Sequence, residues 1–156
     1  MSGRIAARLK ELGLVLPIPP APVASYVPTV ITGNLCHVSG QVCMVDGEIA
    51  VAGHLGAGVT LDEGRAAARI CGINILAQLA LALGDLDRVV RVVKLTGFVA
   101  STPDFTDQPK VDNGCSDLVV EVFCDAGRHE RSAVGVAALP LNAAVEVEAI
   151  VEVAAR

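Results

Sequence analysis

The chain has 156 residues, 53% of them apolar, and a net charge of −5. That length suits one domain with a sizeable core. The acidic balance, with three Phe, one Tyr and no Trp, argues against a sequence-independent grip on nucleic acid, which needs clustered cations and stacking aromatics.

The elements follow in chain order. Ser2 is placed to cap a short helix over residues 4–12, with Ile5, Leu9 and Leu12 on one side. Five prolines between Pro17 and Pro28 dictate an extended arm. Strands are expected at 35–42 and 48–52, joined as a hairpin by Asp46-Gly47. Thr60 to Glu63 reads as a capping box opening a long helix that Gly84 ends, with Ile70, Ile73, Leu76, Ala77, Ala80 and Leu83 as its buried stripe. A Val-rich strand spans 89–100. After a polar loop, a second helix runs from Gln108 or Asp112 to Cys124, and two strands close the chain. Residues 1–156 thus form a single domain, with the N-terminal helix and arm in 1–19 and the core in 20–156. The order is β-β-α-β-α-β-β, an α+β fold with one mixed sheet and two helices on one face. The bare face is then expected to be covered by another subunit.

Every apolar run is interrupted by Gly, Asp, Gln or Arg short of the roughly eighteen residues a bilayer requires. The N-terminus has no apolar signal-peptide core, so a cytoplasmic protein without membrane partners is expected. Cys36, Cys43, Cys71, Cys115 and Cys124 make an odd, irregular set that reads as reduced thiols, with Cys115 and Cys124 as packing residues. Cys36 and His37 point to opposite strand faces, and His54 and His129 fall in no ligand spacing, so no metal is expected. His129, between Arg128 and Glu130, reads as a solvent-loop residue.

The closing strands carry the chemistry. Arg131, Ala133, Gly135 and Ala137 share one face, which sets a guanidinium over a floor of very small residues, well suited to gripping a planar carboxylate. Glu146, Glu148 and Glu152 share a face opposite Val145, Val147, Ala149, Val151 and Val153. In a simple hairpin Arg131 would pair near Val151, leaving Glu146 about 15 Å away. For the two to cooperate, either the strands are not neighbours or the partners come from different subunits.

Four stretches, Ser25-Tyr26-Val27-Pro28, Val38 to Val42, Val92 to Val99 and Arg131 to Ile150, make the chain resemble the reactive-intermediate deaminase family, also called the YjgF or L-PSP endoribonuclease-like family. The resemblance implies a chorismate-mutase-like fold and a homotrimer with the free sheet face at its core. It also implies hydrolysis of small 2-imino acids to 2-keto acids and ammonia, without a cofactor, at clefts between subunits. On that resemblance Arg131 would bind the substrate carboxylate and help keep the glutamate ionised. Glu146 would position the attacking water, and Tyr26, Ser39 and Gly40 would line the cleft. Asn113 matches a family asparagine near the site. Two departures stand out. Ala133 occupies the place of a cysteine found in many deaminating members, and the 102–113 loop with the N-terminal helix marks a longer branch. The alternative is a non-catalytic binding protein for a small carboxylate such as a 2-keto acid. An endoribonuclease is disfavoured by the acidic balance, and no nucleic-acid partner is expected.

Overall fold

The computed structural model describes residues 3–19, 21–22 and 24–156. Its strands are β1 (Thr29–Thr32), β2 (Leu35–Val42), β3 (Met44–Val45), β4 (Glu48–Ile49), β5 (His54–Leu55), β6 (Gly58–Val59), β7 (Val89–Ala100), β8 (Glu130–Val136) and β9 (Val145–Val153). The helices are α1 (Arg4–Glu11), α2 (Leu61–Leu83) and α3 (Gln108–Phe123). Five strands form the central sheet in the order β1-β2-β9-β7-β8. All neighbours are antiparallel except β7 and β8, which run parallel. Parallel neighbours need a crossover, and α3 supplies it.

Helix α2 starts and stops where its residues dictate. The Thr60 hydroxyl accepts from the Glu63 N–H, the Glu63 carboxylate accepts from the Thr60 N–H, and Gly84 closes the helix at φ 78°. Its stripe is wider than the periodicity suggests. Leu76, Ala77 and Leu83 are buried as expected, but Ile70, Ile73 and Ala80 are only partly covered, while Cys71, Gly72, Ile75 and Leu79 are fully buried. The reason is that α2 packs on β2 and β9 with one side and on α3 with another. Among the described residues α2 is also the one helix long and apolar enough to cross a membrane, contrary to the expectation that every apolar run is too short. In the fold it serves as a core helix.

The two long helices touch closely. A Cβ on Gly114 of α3 would collide with the Arg65 carbonyl oxygen of α2, and one on Gly72 would press on Leu118 and Cys115. Gly114→Ala is therefore expected to push the helices apart and to cost about 2 kcal/mol or more of stability, despite alanine's better helix propensity. The midpoint of urea unfolding measures it.

Three corrections concern the N-terminal half. Strand β1, which directly follows Pro28, was not anticipated. It pairs with β2 through the two-residue turn Gly33-Asn34, with Gly33 at φ 58°, as hairpins with glycine first prefer. The Asp46-Gly47 turn forms as expected, but it joins only the short β3 and β4, because β2 is already paired on both edges by β1 and β9. Helix α1 ends at Glu11, and Ser2 lies outside the described residues, as does Pro20 of the arm. The cap on α1 comes from Asp87, whose carboxylate accepts from the Arg4 and Ile5 N–H groups at 2.8 and 2.7 Å. With Ile5 and Leu9 buried, α1 packs beside α3, so the described residues form three α-helices around the central mixed sheet.

Candidate active site

Strand β7 separates the two strands that carry the chemistry. Leu95 of β7 pairs with Arg131 on one side and Ala149 on the other, while Phe98 pairs with Val134 and Glu146. The closing strands are therefore not a hairpin, in line with the first of the two alternatives. Paired residues share a face. Leu95 and Ala149 are buried under the helices, so Arg131 lies on the helical side of the sheet and Glu146 on the open side.

Arg131 stands on the edge strand β8, where α3 reaches it. Its Nη1 donates to Asn113 Oδ1 at 2.9 Å and Ser116 Oγ at 3.0 Å, and its Nη2 donates to the Pro109 carbonyl oxygen at 3.2 Å. Pro109, Asn113 and Ser116 are spaced i, i+4, i+7, so one face of α3 presents all three acceptors. A guanidinium has five N–H donors. Among the described residues three are taken, and the two that remain are the number a planar carboxylate needs for a bidentate grip.

Beneath the arginine lies a group the sequence reading passed over. Asp112 is 1% exposed, and among the described residues neither of its carboxyl oxygens has a hydrogen-bond partner. It sits on Gly97 of β7 so closely that a Cβ there would overlap it. Burial pushes its pKa from 3.8 up to about 7, and the Arg131 charge only partly opposes that rise. Burial and the adjacent Asp112 push the neighbouring Cys115 thiol up to about 12.

The open face holds the second half. Glu146 is half-buried, and its carboxylate covers Gly40, where any Cβ would strike it. Gly40 and Ser39 fall in the irregularity where the β2–β9 register shifts, so the bulge is what makes room for the glutamate. Burial first, then the like charge of Glu148, raises the Glu146 pKa. Within one chain Arg131 lies on the opposite face of the sheet and is not among the causes of this shift. Alongside runs a groove of about 240 Å³ lined by Val27, Pro28, Ser39, Glu148 and Ile150, among others. Tyr26 is half exposed beside it on the arm, and the Ser39 hydroxyl is buried without a partner among the described residues.

One chain thus gathers Arg131 and Asn113 on one side, and Glu146, Gly40, Ser39 and the Tyr26 arm on the other. His129 is not a loop residue free in solvent, because its ring bonds to Ser116 Oγ and the Gly127 carbonyl oxygen. Of the two cysteines read as packing residues, Cys115 is buried but Cys124 is exposed. Among the described residues no three His, Cys, Asp or Glu side chains converge to hold a metal ion.

The comparisons with known proteins agree with this architecture. Residues 6–153 match the family described as "YjgF/chorismate_mutase-like, putative endoribonuclease". The chain is similar to Protein TCP17 of Trypanosoma cruzi, with 54% identity over 152 residues covering 97% of this chain and 95% of that one. It superposes on the crystal structure of Atu1372 from Agrobacterium tumefaciens with a TM-score of 0.90 and 52% identity, covering 96% of this chain and 92% of the other. A more distant relative is the 2-iminobutanoate/2-iminopropanoate deaminase of Dermatophagoides farinae, 30% identical over 135 residues that cover 86% of this chain and 91% of that protein. With nearly its whole length matched, the chain belongs to the YjgF/chorismate-mutase-like family.

Proposed function

We propose that this protein hydrolyses small 2-imino acids to 2-keto acids and ammonia, at clefts between the subunits of a homotrimer. The observation that carries the reading is the Arg131 guanidinium, held by three protein acceptors with two donors left over. The name of the distant deaminase relative supports it.

In the proposed reaction Arg131 grips the substrate carboxylate. Water adds to the imine carbon, a proton reaches the nitrogen, and the resulting carbinolamine expels ammonia and leaves the carbonyl. Such chemistry needs position and proton traffic more than a strong nucleophile. Glu146, whose raised pKa suits a group that takes and returns a proton, orients the water. Because Arg131 and Glu146 face away from each other in one chain, the cleft takes Arg131 and Asn113 from one copy. Glu146, Gly40, Ser39 and Tyr26 come from the next.

The test is release of ammonia or keto acid from freshly generated 2-iminopropionate and 2-iminobutyrate, measured above the spontaneous rate. Wild-type acceleration is expected, with kcat lowered about 100-fold in Glu146→Gln, in keeping with the usual weight of a general acid–base group. No acceleration by folded wild type would overturn the reading for these substrates.

A second reading, retention of a small carboxylate without turnover, is favoured by one feature: the Arg131 grip is complete within a single chain, whereas Glu146 is on the other face. Under that reading Glu146→Gln would leave 2-keto acid affinity intact, and no multiple turnover would be found.

A further inference from the structure

The acceptors around Arg131 do not end at Ser116. Ser116 Oγ lies 2.8 Å from His129 Nε2, and His129 Nδ1 lies 2.6 Å from the Gly127 carbonyl oxygen. A carbonyl oxygen only accepts, so Nδ1 must carry a hydrogen. In the neutral ring Nε2 is then the acceptor, and the Ser116 hydroxyl must donate to it. That leaves the Ser116 oxygen lone pairs for the Arg131 Nη1–H at 3.0 Å. Each bond in the row then has one direction, running from Arg131 to Ser116 to His129 to Gly127.

The far end of the row is fixed backbone. Gly127 is buried in the turn that follows α3, and a Cβ there would collide with the Val119 carbonyl oxygen. His129 precedes Arg131 by two residues, while Ser116 belongs to α3. The row therefore ties the helix to the edge strand at the point where the guanidinium stands.

We propose that Ser116 and His129 are positioning residues for Arg131: they hold its guanidinium in one orientation so that its two free donors face an incoming carboxylate. This rests on the reading of Arg131 as the carboxylate ligand. Arginine is long and flexible, and a grip already assembled spares the ligand the ordering of that side chain. An orientation set before binding acts equally on substrate and transition state, so its loss raises KM and leaves kcat nearly unchanged.

The experiment pairs nitrogen-15 NMR with kinetics on the full-length protein. In wild type His129 should show the Nδ1–H tautomer, and the Arg131 Nη protons should be resolved because rotation of the guanidinium is hindered. Ser116→Ala should average the Arg131 signals and raise KM for 2-iminopropionate about tenfold with kcat within about twofold. Ser116→Thr, which keeps the hydroxyl, should restore both. Unchanged Arg131 signals in a folded Ser116→Ala protein would overturn the proposal, as would a His129 hydrogen found on Nε2 alone. If the NMR signature is lost in Ser116→Ala while wild type turns over no imine, the positioning role stands and the deaminase reading falls.

Discussion

Arg131→Ala is expected to lower kcat/KM for 2-imino acids by about 1000-fold, with any residual turnover at saturating substrate falling far less. Two charge-assisted hydrogen bonds to a carboxylate are each worth about 1.5–3 kcal/mol, and about 1.4 kcal/mol is a factor of ten. The loss is not confined to the ligand. Asn113 Oδ1, Ser116 Oγ and the Pro109 carbonyl oxygen all lose their donor, so the 109–116 face of α3 is left without its partner. Arg131→Lys separates the two effects. It keeps the charge but has neither the planar fork nor enough donors to serve both the three protein acceptors and a bidentate ligand. It should bind carboxylates barely better than the alanine variant. Steady-state kinetics with 2-iminopropionate and calorimetric titration with pyruvate check both; an alanine variant with full activity would sink the assignment.

The second large effect is on stability. The Asp112 carboxyl titrates near 3.8 when free and at about 7 in the fold, because burial disfavours its charge. Between those values the folded chain keeps a proton that the unfolded chain has released. The stability this group contributes is then fully present below pH 4 and is lost as pH rises through 7. At about 1.4 kcal/mol per pH unit, the span amounts to roughly 4 kcal/mol. Asp112→Asn keeps the shape and removes the charge, so it should flatten this slope and unfold at higher urea than wild type at pH 8. Glu146, also raised, adds a slope of the same sign that Asp112→Asn leaves in place. Equal pH slopes for wild type and Asp112→Asn, measured by urea midpoints from pH 4 to 8.5, would refute the argument.

The parts of the fold legible in the sequence were those with local causes. The capping box at Thr60, the glycine at 84 and the unbroken Val-rich run of β7 each act within a few residues, and the structure places them where they were expected. What escaped was set by distant partners. Strand β1 is four residues long and mostly exposed, so it carries no alternating pattern, and only the Gly33-Asn34 turn signals it. The cap on α1 comes from Asp87, which no local reading of α1 would reach. At the site, the alternation of β8 and β9 assigned Arg131 and Glu146 to faces but not to sides of the sheet, because that depends on β7 lying between them. Asp112 carried a visible signal: it interrupts the buried stripe of Val111, Cys115, Leu118, Val119 and Val122. A carboxylate in such a stripe is either paired or neutral. Ser116 was equally readable from its i+3 spacing to Asn113.

The opposed placement of Arg131 and Glu146 reaches beyond geometry. No rotamer change carries a side chain through a hydrogen-bonded sheet, so a single copy of this chain never holds both groups over one ligand. Any reaction that needs both requires a second copy, so in the proposed assembly its rate per chain would depend on protein concentration and fall as dilution separates the copies.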